Sequence, residues 1–284
     1  MFDQILISLA YGVLGLVLLL AAKNAKNLLT SYSIDDELTT KDNTALALSM
    51  AGYYLGVIII FLGAIIGPDI EEPTRMELFM SIGIDAGYAV LGIVFLNLGR
   101  LVVDRLVLTS FSTKKEIIED RNVGTGAVEF GSYVATALVI AGAISGETGG
   151  LLSAVVFFAL GQLVLVIFAR FCQFITSYDL HAEIEKDNYA AGIAFGGSLI
   201  AVGIVLLKAT SLPFDGNWQA SLTDFGLIVA LSFVVFVVAR FVTDKALLPK
   251  SSLSHEIAVD QNSGAALIEA STAIGMASIV FFVL

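Results

Sequence analysis

Glu129 and Glu269 are the side chains in this sequence best suited to chemistry. Each stands seven residues beyond an Asn, Asn122 or Asn262, that opens a long apolar run. Each also lies five residues past a glycine, Gly124 or Gly264, which at about 1.5 Å per helical residue puts it roughly 7–8 Å inside a membrane boundary. A spacing of seven keeps acid and carboxamide on one helical face. Acids at such depth face a protein interior or an aqueous cavity, and mark ion or proton routes. A static alternative has a named partner, because Arg100 and Arg240 each precede their Glu by 29 residues at the end of the preceding apolar run. Paired with arginine, the two acids need no transport role; an arginine that opens and closes would gate an acid that exchanges ions.

The acids belong to a motif that occurs four times. Asp42-Asn43, Asp120-Arg121-Asn122, Asp187-Asn188 and Asp260-Gln261-Asn262 each precede an apolar run. Copies one and three read Lys-Asp-Asn, whereas copies two and four share Glu-Ile, Asp-x-Asn-x-Gly and the embedded Glu at an offset of 140. An Asn or Asp ahead of a helix accepts a hydrogen bond from a free backbone N–H and suits the positive helix end, an effect near 1 kcal/mol. Capping accounts for the residue types. A polar vestibule for a cation, with Asp120, Asp260, Asn122 and Asn262 as ligands, is the functional reading of the same residues. Asp85, with Tyr88 one turn on and Asp224 in a nearby place of the second half, reads as an outer polar entry or as an interfacial acid favoured by the helix dipole.

The positioning elements are membrane helices. The chain is 57% hydrophobic and 14% charged, with a mean hydropathy of +0.89, and a hydrocarbon core about 30 Å thick takes about 20 helical residues to cross. Eight windows qualify: 5–22, 44–66, 80–99, 124–144, 151–175, 189–207, 223–243 and 264–284. Lipid cannot satisfy an open sheet edge, so the expected fold is all-α and polytopic. Four helices are an even number, so the halves, residues 1–146 and 147–284, enter the membrane in the same direction and form parallel repeats. Thr30-Ser31-Tyr32 against Thr176-Ser177-Tyr178, and Arg100 with Asp104 against Arg240 with Asp244, support the duplication. Each half resembles two hairpins in turn, which raises the idea of four quasi-equivalent units.

Thirteen of the fifteen Lys and Arg fall on the side of the Asp/Asn motifs; only Arg75 and Lys208 fall on the other. That bias predicts motif loops in the cytoplasm and both termini on the outer side, with the first window a retained helix. The net charge of −11, with Asp69, Glu71, Glu72, Glu77, Glu147 and Asp215 in outer turns, argues against a nucleic-acid partner. The short loops carry no phosphate-cradling, zinc-protease or nucleophile-elbow motif, so neither an enzyme nor a cofactor is expected. Cys172 has no disulfide partner, and His181 and His255 read as solvated loop residues, so no metal centre is expected. Turns fall at Gly67-Pro68-Asp69, Pro73 and Pro213-Phe214-Asp215-Gly216, while Trp218, Phe214, Tyr53 and Tyr54 read as interface anchors and packing residues. Small residues four apart, such as Gly52 and Gly56 or Gly192 and Gly196, predict close helix packing or a homo-oligomer seam.

Lys41 to Ala45, Lys186 to Ala190, and Asp120 to Gly124 with its twin Asp260 to Gly264 carry a resemblance over essentially the whole chain to the YjfL-like bacterial inner-membrane proteins, built from a duplicated four-helix domain of unknown function. The resemblance implies an inner-membrane location and a tandem architecture. It also suggests a stress or polyamine context, because such proteins are often encoded near envelope-stress proteins or glutathionylspermidine-synthase-like enzymes. The expectation is a small transporter or channel for a cation, proton or polyamine, with a membrane scaffold recruiting a cytoplasmic stress or synthase partner as the alternative.

Overall fold

A computed structural model describes residues 2–66, 75–107, 112–145 and 150–284. The turns at 67–74, with Asp69, Glu71 and Glu72, and Glu147 lie outside the described residues. Eight long helices are apolar enough to cross a membrane: α1 (Phe2–Leu29), α3 (Thr44–Ile65), α4 (Arg75–Val102), α6 (Val123–Ser145), α7 (Gly150–Ile175), α9 (Tyr189–Thr210), α10 (Trp218–Val242) and α12 (Ser263–Val283). No strand occurs among the described residues. The eight windows read from the sequence are thus the eight spans, displaced by a few residues at their ends.

Four further helices of six residues each lie in the motif loops: α2 (Ile34–Thr39), α5 (Thr113–Ile118), α8 (Leu180–Glu185) and α11 (Leu253–Ala258). Ser33, Ser112, Asp179 and Ser252 begin them, each accepting a backbone N–H three residues on. A long helix follows each short one after a tight turn whose penultimate residue is left-handed: Asp42 (φ 50), Arg121 (φ 55), Asp187 (φ 60) and Gln261 (φ 48). The same turn therefore occurs four times, and the unit of repetition is the hairpin of about 70 residues.

The helices form two rows. α3, α6, α9 and α12 pack side by side in chain order, all starting at the capped end and hence parallel, while α4, α7 and α10 each lie against two successive members of that row and α1 lies along α3 and α4. Small residues make the inner row tight. A Cβ built on Gly131 of α6 would sit 2.3 Å from the Gly196 carbonyl oxygen of α9, a spacing that only glycine permits, as in other close helix pairs in lipid. The core divides along α6 itself: Val128, Ala135 and Val139 pack with α7 and α9, and Tyr133, Ala137 and Ile140 with α3 and α4. Phe168 and Phe236, with ring centroids 4.9 Å apart and an edge-on orientation, join α7 to α10. Phe214 lies tilted against Trp218, ring centroids 4.5 Å apart, at the turn where Gly216 takes φ +90.

Candidate functional site

Both arginine–glutamate pairs form. Arg100 Nη2 lies 3.2 Å from Glu129 Oε1, and Arg240 Nη1 bonds Glu269 Oε1; the two acids are 3% and 2% exposed, a burial that an unpaired carboxylate would not survive. Position follows from the helices. Arg100 and Arg240 close the last α-helical turn of α4 and α10, just ahead of π-helical turns at Val103–Val107 and Thr243–Leu247, a wide geometry that often marks functional sites. Tyr32 and Tyr178, from the two Thr-Ser-Tyr stretches, complete a repeated triad beside Arg100 and Arg240. Burial pushes both phenols up, against the pull of the neighbouring guanidinium.

Around this shared frame the halves differ. In the first half Ser49 donates to Glu129, Arg100 also holds Asp104 at 3.2 Å, and Lys26, 1% exposed, bonds the Tyr133 hydroxyl and lies over the rings of Tyr53 and Tyr133 at 5.0 and 4.8 Å. Two cations and two anions are thus gathered in one buried cluster. The second half puts Cys172 where Lys26 stands, Ala194 for Ser49 and Ala273 for Tyr133. Its Asp244 turns away to accept from the Leu253 N–H at 2.6 Å and Lys245 at 2.7 Å. Glu269 keeps the arginine and loses the polar neighbours.

In the sequence Lys26 counts only among the thirteen basic residues at helix ends and loops on the motif side. It is instead the one lysine among the described residues that lies fully inside the protein, and nothing local in its segment announces the tyrosines that receive it. Tyr53, read as a packing residue, joins the same network: its hydroxyl donates to the Ala22 carbonyl at 3.2 Å and accepts from Asn97.

Cavities follow the same division. A groove of about 590 Å³, lined by Lys26, Thr30, Tyr32, Asn97, Arg100 and Asp104 among others, opens beside the first cluster. One of about 360 Å³ reaches Arg240 and Asp244 past Ser177, Ser252 and Ser254. Beside the arginines, small spaces of about 10 Å³ border Glu129, with Ser132 and Thr136, and Glu269, with Cys172 and Tyr178. Each is roughly the room that one water needs. Ser132 and Thr136 follow Glu129 at helical spacing along α6, and Gln162 of α7, 4% exposed, comes close to the same stretch, within 3.5 Å of a Cβ on Gly99, which itself meets Thr136. The Ser132 hydroxyl and both polar atoms of Gln162 have no hydrogen-bond partner among the described residues. In α12 the corresponding positions are Thr272, which bonds back to the Ile268 carbonyl, and the apolar Met276.

The four Asn residues cap their helices, as the capping reading expects, and their amide nitrogens have further partners. Asn43, Asn122, Asn188 and Asn262 accept backbone N–H groups at the starts of α3, α6, α9 and α12. Their amide nitrogens donate to Glu37, Glu116, Glu183 and Glu256 of the short helices. Three of them also reach the next copy: Asn43 to the Ile117 carbonyl at 2.9 Å, Asn122 to Ile184 at 2.7 Å and Asn188 to Ile257 at 2.9 Å. The carboxamide of Asn122 is therefore committed, about 10 Å along the axis from Glu129, and supplies no ligand to the acid. Asp120 and Asp260 are exposed, with Lys115 at 2.8 Å and His255 at 3.7 Å, so neither is brought to an embedded Glu. Glu37 and Glu183 are equivalents of Glu116 and Glu256 that the two divergent copies concealed.

Asp85 stands apart from the cluster, since fifteen residues separate it from Arg100, about 22 Å of helix; it accepts from the Tyr11 hydroxyl of α1 at 2.6 Å. Asp224 is exposed and out of register with it. His181 corrects the solvated-loop expectation: it is 9% exposed, with Nδ1 3.0 Å from Gln173 Oε1 and Nε2 2.8 Å from the Val107 carbonyl, tying α8 to the π turn after α4. His255 is exposed as expected. Among the described residues no cluster of three metal-ligating side chains occurs.

Two matches to the same family model span residues 1–144 and 147–284, so the chain belongs to the family described as Domain of Unknown Function (DUF350), in two tandem copies. It is also similar to a UPF0719 transmembrane protein of Aquifex aeolicus (strain VF5), 26% identical over 254 residues that cover 88% of this chain and 90% of that protein. No solved structure matches. The chain is thus a multi-pass membrane protein of this family, an all-helical duplication with eight spans.

Proposed function

We propose that the protein moves or exchanges a proton or small cation, polyamines included, through Glu129, with Arg100 as the gate. The observation that carries this reading is the inequality of the halves. Two cations and two anions gather beside an open groove in the first half, and a polar track of Ser132, Thr136 and Gln162 continues beyond the acid, whereas the second half keeps only the pair and its tyrosine, Tyr178. Arg100 already holds Asp104 and Glu129 together, so a small movement toward Asp104 frees the acid without leaving the guanidinium unpaired. The cavity behind Glu129 has room for one water, a sufficient bridge for a proton to Ser132. Glu269 and Arg240 then serve as the structural counterpart. The reading is non-enzymatic and places the protein in a bacterial inner membrane, with the motif loops in the cytoplasm and the termini on the outer side.

The test is flux in proteoliposomes under imposed pH, potassium or spermidine gradients. Wild-type protein carries one of these, Glu129→Gln abolishes the flux, and Glu269→Gln retains most of it. Absence of flux above empty liposomes under all gradients overturns the proposal.

A second reading, a scaffold for a cytoplasmic stress or synthase partner, draws on one observation: both acids are closed on arginines while Asp35, Asp36, Glu119 and Asp120 are exposed on the cap. In that case Asp120→Asn and Asp260→Asn weaken capture of the partner, and Glu129→Gln lowers only the folded yield.

A further inference from the structure

One interface occurs three times within the inner row. Gly52 of α3 meets the backbone of Phe130 in α6, Gly131 of α6 meets Gly196 of α9, and Gly197 of α9 meets Ala270 of α12. Counted from the capping Asn of each helix, the ninth residue of one copy always packs on the eighth of the next. The short helices follow the same rule, each Asn donating to a carbonyl of the next copy at Ile117, Ile184 or Ile257.

Among the described residues this interface is unfilled at both sides of the row. On α12 the ninth residue, Ser271, is exposed, and one turn on, Gly275 has no heavy atom within 4 Å of a Cβ placed there. Leu267 on the same face is 55% exposed. Asn262 bonds Glu256 and its own helix, and among the described residues it has no counterpart of the carbonyl that its three equivalents hold. On α3 the eighth residue, Ala51, is exposed among the described residues, flanked by Ala47, Leu55 at 43% and Leu62 at 53%. Leu38 of α2 stands five residues before Asn43, as Ile117 and Ile257 stand before Asn122 and Asn262. α1 likewise lies along α3 without a second inner helix beside it, unlike α4, α7 and α10.

The geometry points to a second copy of this chain as the occupant, joined head to tail: α12 of one copy packs on α3 of the next, Ser271 faces Ala51, and the Asn262 carboxamide takes the Leu38 carbonyl. Lipid tails offer no surface in register with the exposed small residues. Both helices start at the same capped end, so copies inserted with the same orientation meet the requirement. An interface of two different surfaces gives a ring where the rotation closes and an open row where it does not.

The experiment uses full-length chains bearing Cys172→Ser, with different tags, co-expressed and oxidised in the membrane. Ser271→Cys on one chain and Ala51→Cys on the other yield a disulfide-linked heterodimer, and both changes on one chain yield larger multimers. Gly275→Trp lowers the cross-linked yield several-fold while leaving the thermal midpoint of the monomer unchanged. The inference is overturned where the Ser271–Ala51 yield does not exceed that of a lipid-facing control pair, Val17→Cys with Val94→Cys. It is equally overturned where Ser271→Cys chains link to each other as readily, which would indicate a twofold face.

Discussion

Asn188 holds α9 with its carboxamide oxygen, 3.1 Å from the Ala191 N–H, and the Ile257 carbonyl with its nitrogen at 2.9 Å, fully buried between two hairpins. Asn262, in the same register, has the cap without the onward bond. Replacing each by Ala separates the two contributions. Both variants lose about 1 kcal/mol of capping, and Asn188→Ala loses a further 1–3 kcal/mol or so by stranding a buried carbonyl. Denaturant titration in detergent, with the two variants compared, is the measurement; equal losses would show that the onward bond contributes nothing.

Arg100 and Glu129 should be tolerant of joint removal and intolerant of single removal. Glu129→Leu alone leaves a guanidinium shared only with Asp104, and Arg100→Leu alone leaves two acids facing a buried Lys26. Breaking a buried pair typically costs about 3–5 kcal/mol. The double variant Arg100→Leu/Glu129→Leu recovers part of that loss, which a double-mutant cycle on thermal midpoints or folded yield reads directly.

Gly131 and Gly275 are matched probes of packing. Gly131→Leu drives a side chain into the α9 backbone and abolishes recovery of monodisperse protein, because overpacking against backbone cannot relax cheaply. Gly275→Leu, on an open face, leaves the monomer within about 0.5 kcal/mol of wild type. Chromatographic profile and thermal midpoint distinguish the two.

Acid should loosen the cap. Bonds from Lys41 and Asn43 hold Glu37 below the usual carboxylate range; those from Asn262 and Ser251 do the same for Glu256. At Glu183 burial pulls upward, and the bonds from Asn188 and Lys186 outweigh it. Groups depressed on folding contribute stability that is complete above the unfolded value, about 4.3. That contribution is lost as pH falls through the lower folded values. Amide exchange at the starts of α3, α9 and α12 should therefore accelerate as pH falls below about 4.3, more than exchange in mid-membrane turns.

The spans and both Arg–Glu pairs were legible because they rest on rules of one dimension: about 20 apolar residues per crossing, and an acid that must find a cation. The four six-residue helices were not, since so short a stretch has no periodicity to detect and Glu37 and Glu183 sit in copies whose other residues diverge. The available signal was a Ser or Asp four residues ahead of each Glu: Ser33, Ser112, Asp179 and Ser252. Lys26 illustrates the opposite failure. Its position near a helix end satisfied the orientation rule so well that no burial was anticipated, and its partners Tyr53 and Tyr133 are neighbours only after α3 and α6 pack. Asn122 was placed on the correct helical face beneath Glu129, but its hydrogen bonds run sideways to α8, a direction that no single-helix argument contains.

Because Asn43, Asn122 and Asn188 each reach across to the hairpin that comes next in the chain, the molecule can be assembled in the order in which it is synthesised. When α8 emerges, Asn122 is already in place to receive it, and Asn188 then awaits α11. No early hairpin has to hold itself open for a distant partner, so insertion proceeds like a zip that closes in one direction, and a stalled chain is left with one unmet donor instead of a disordered bundle.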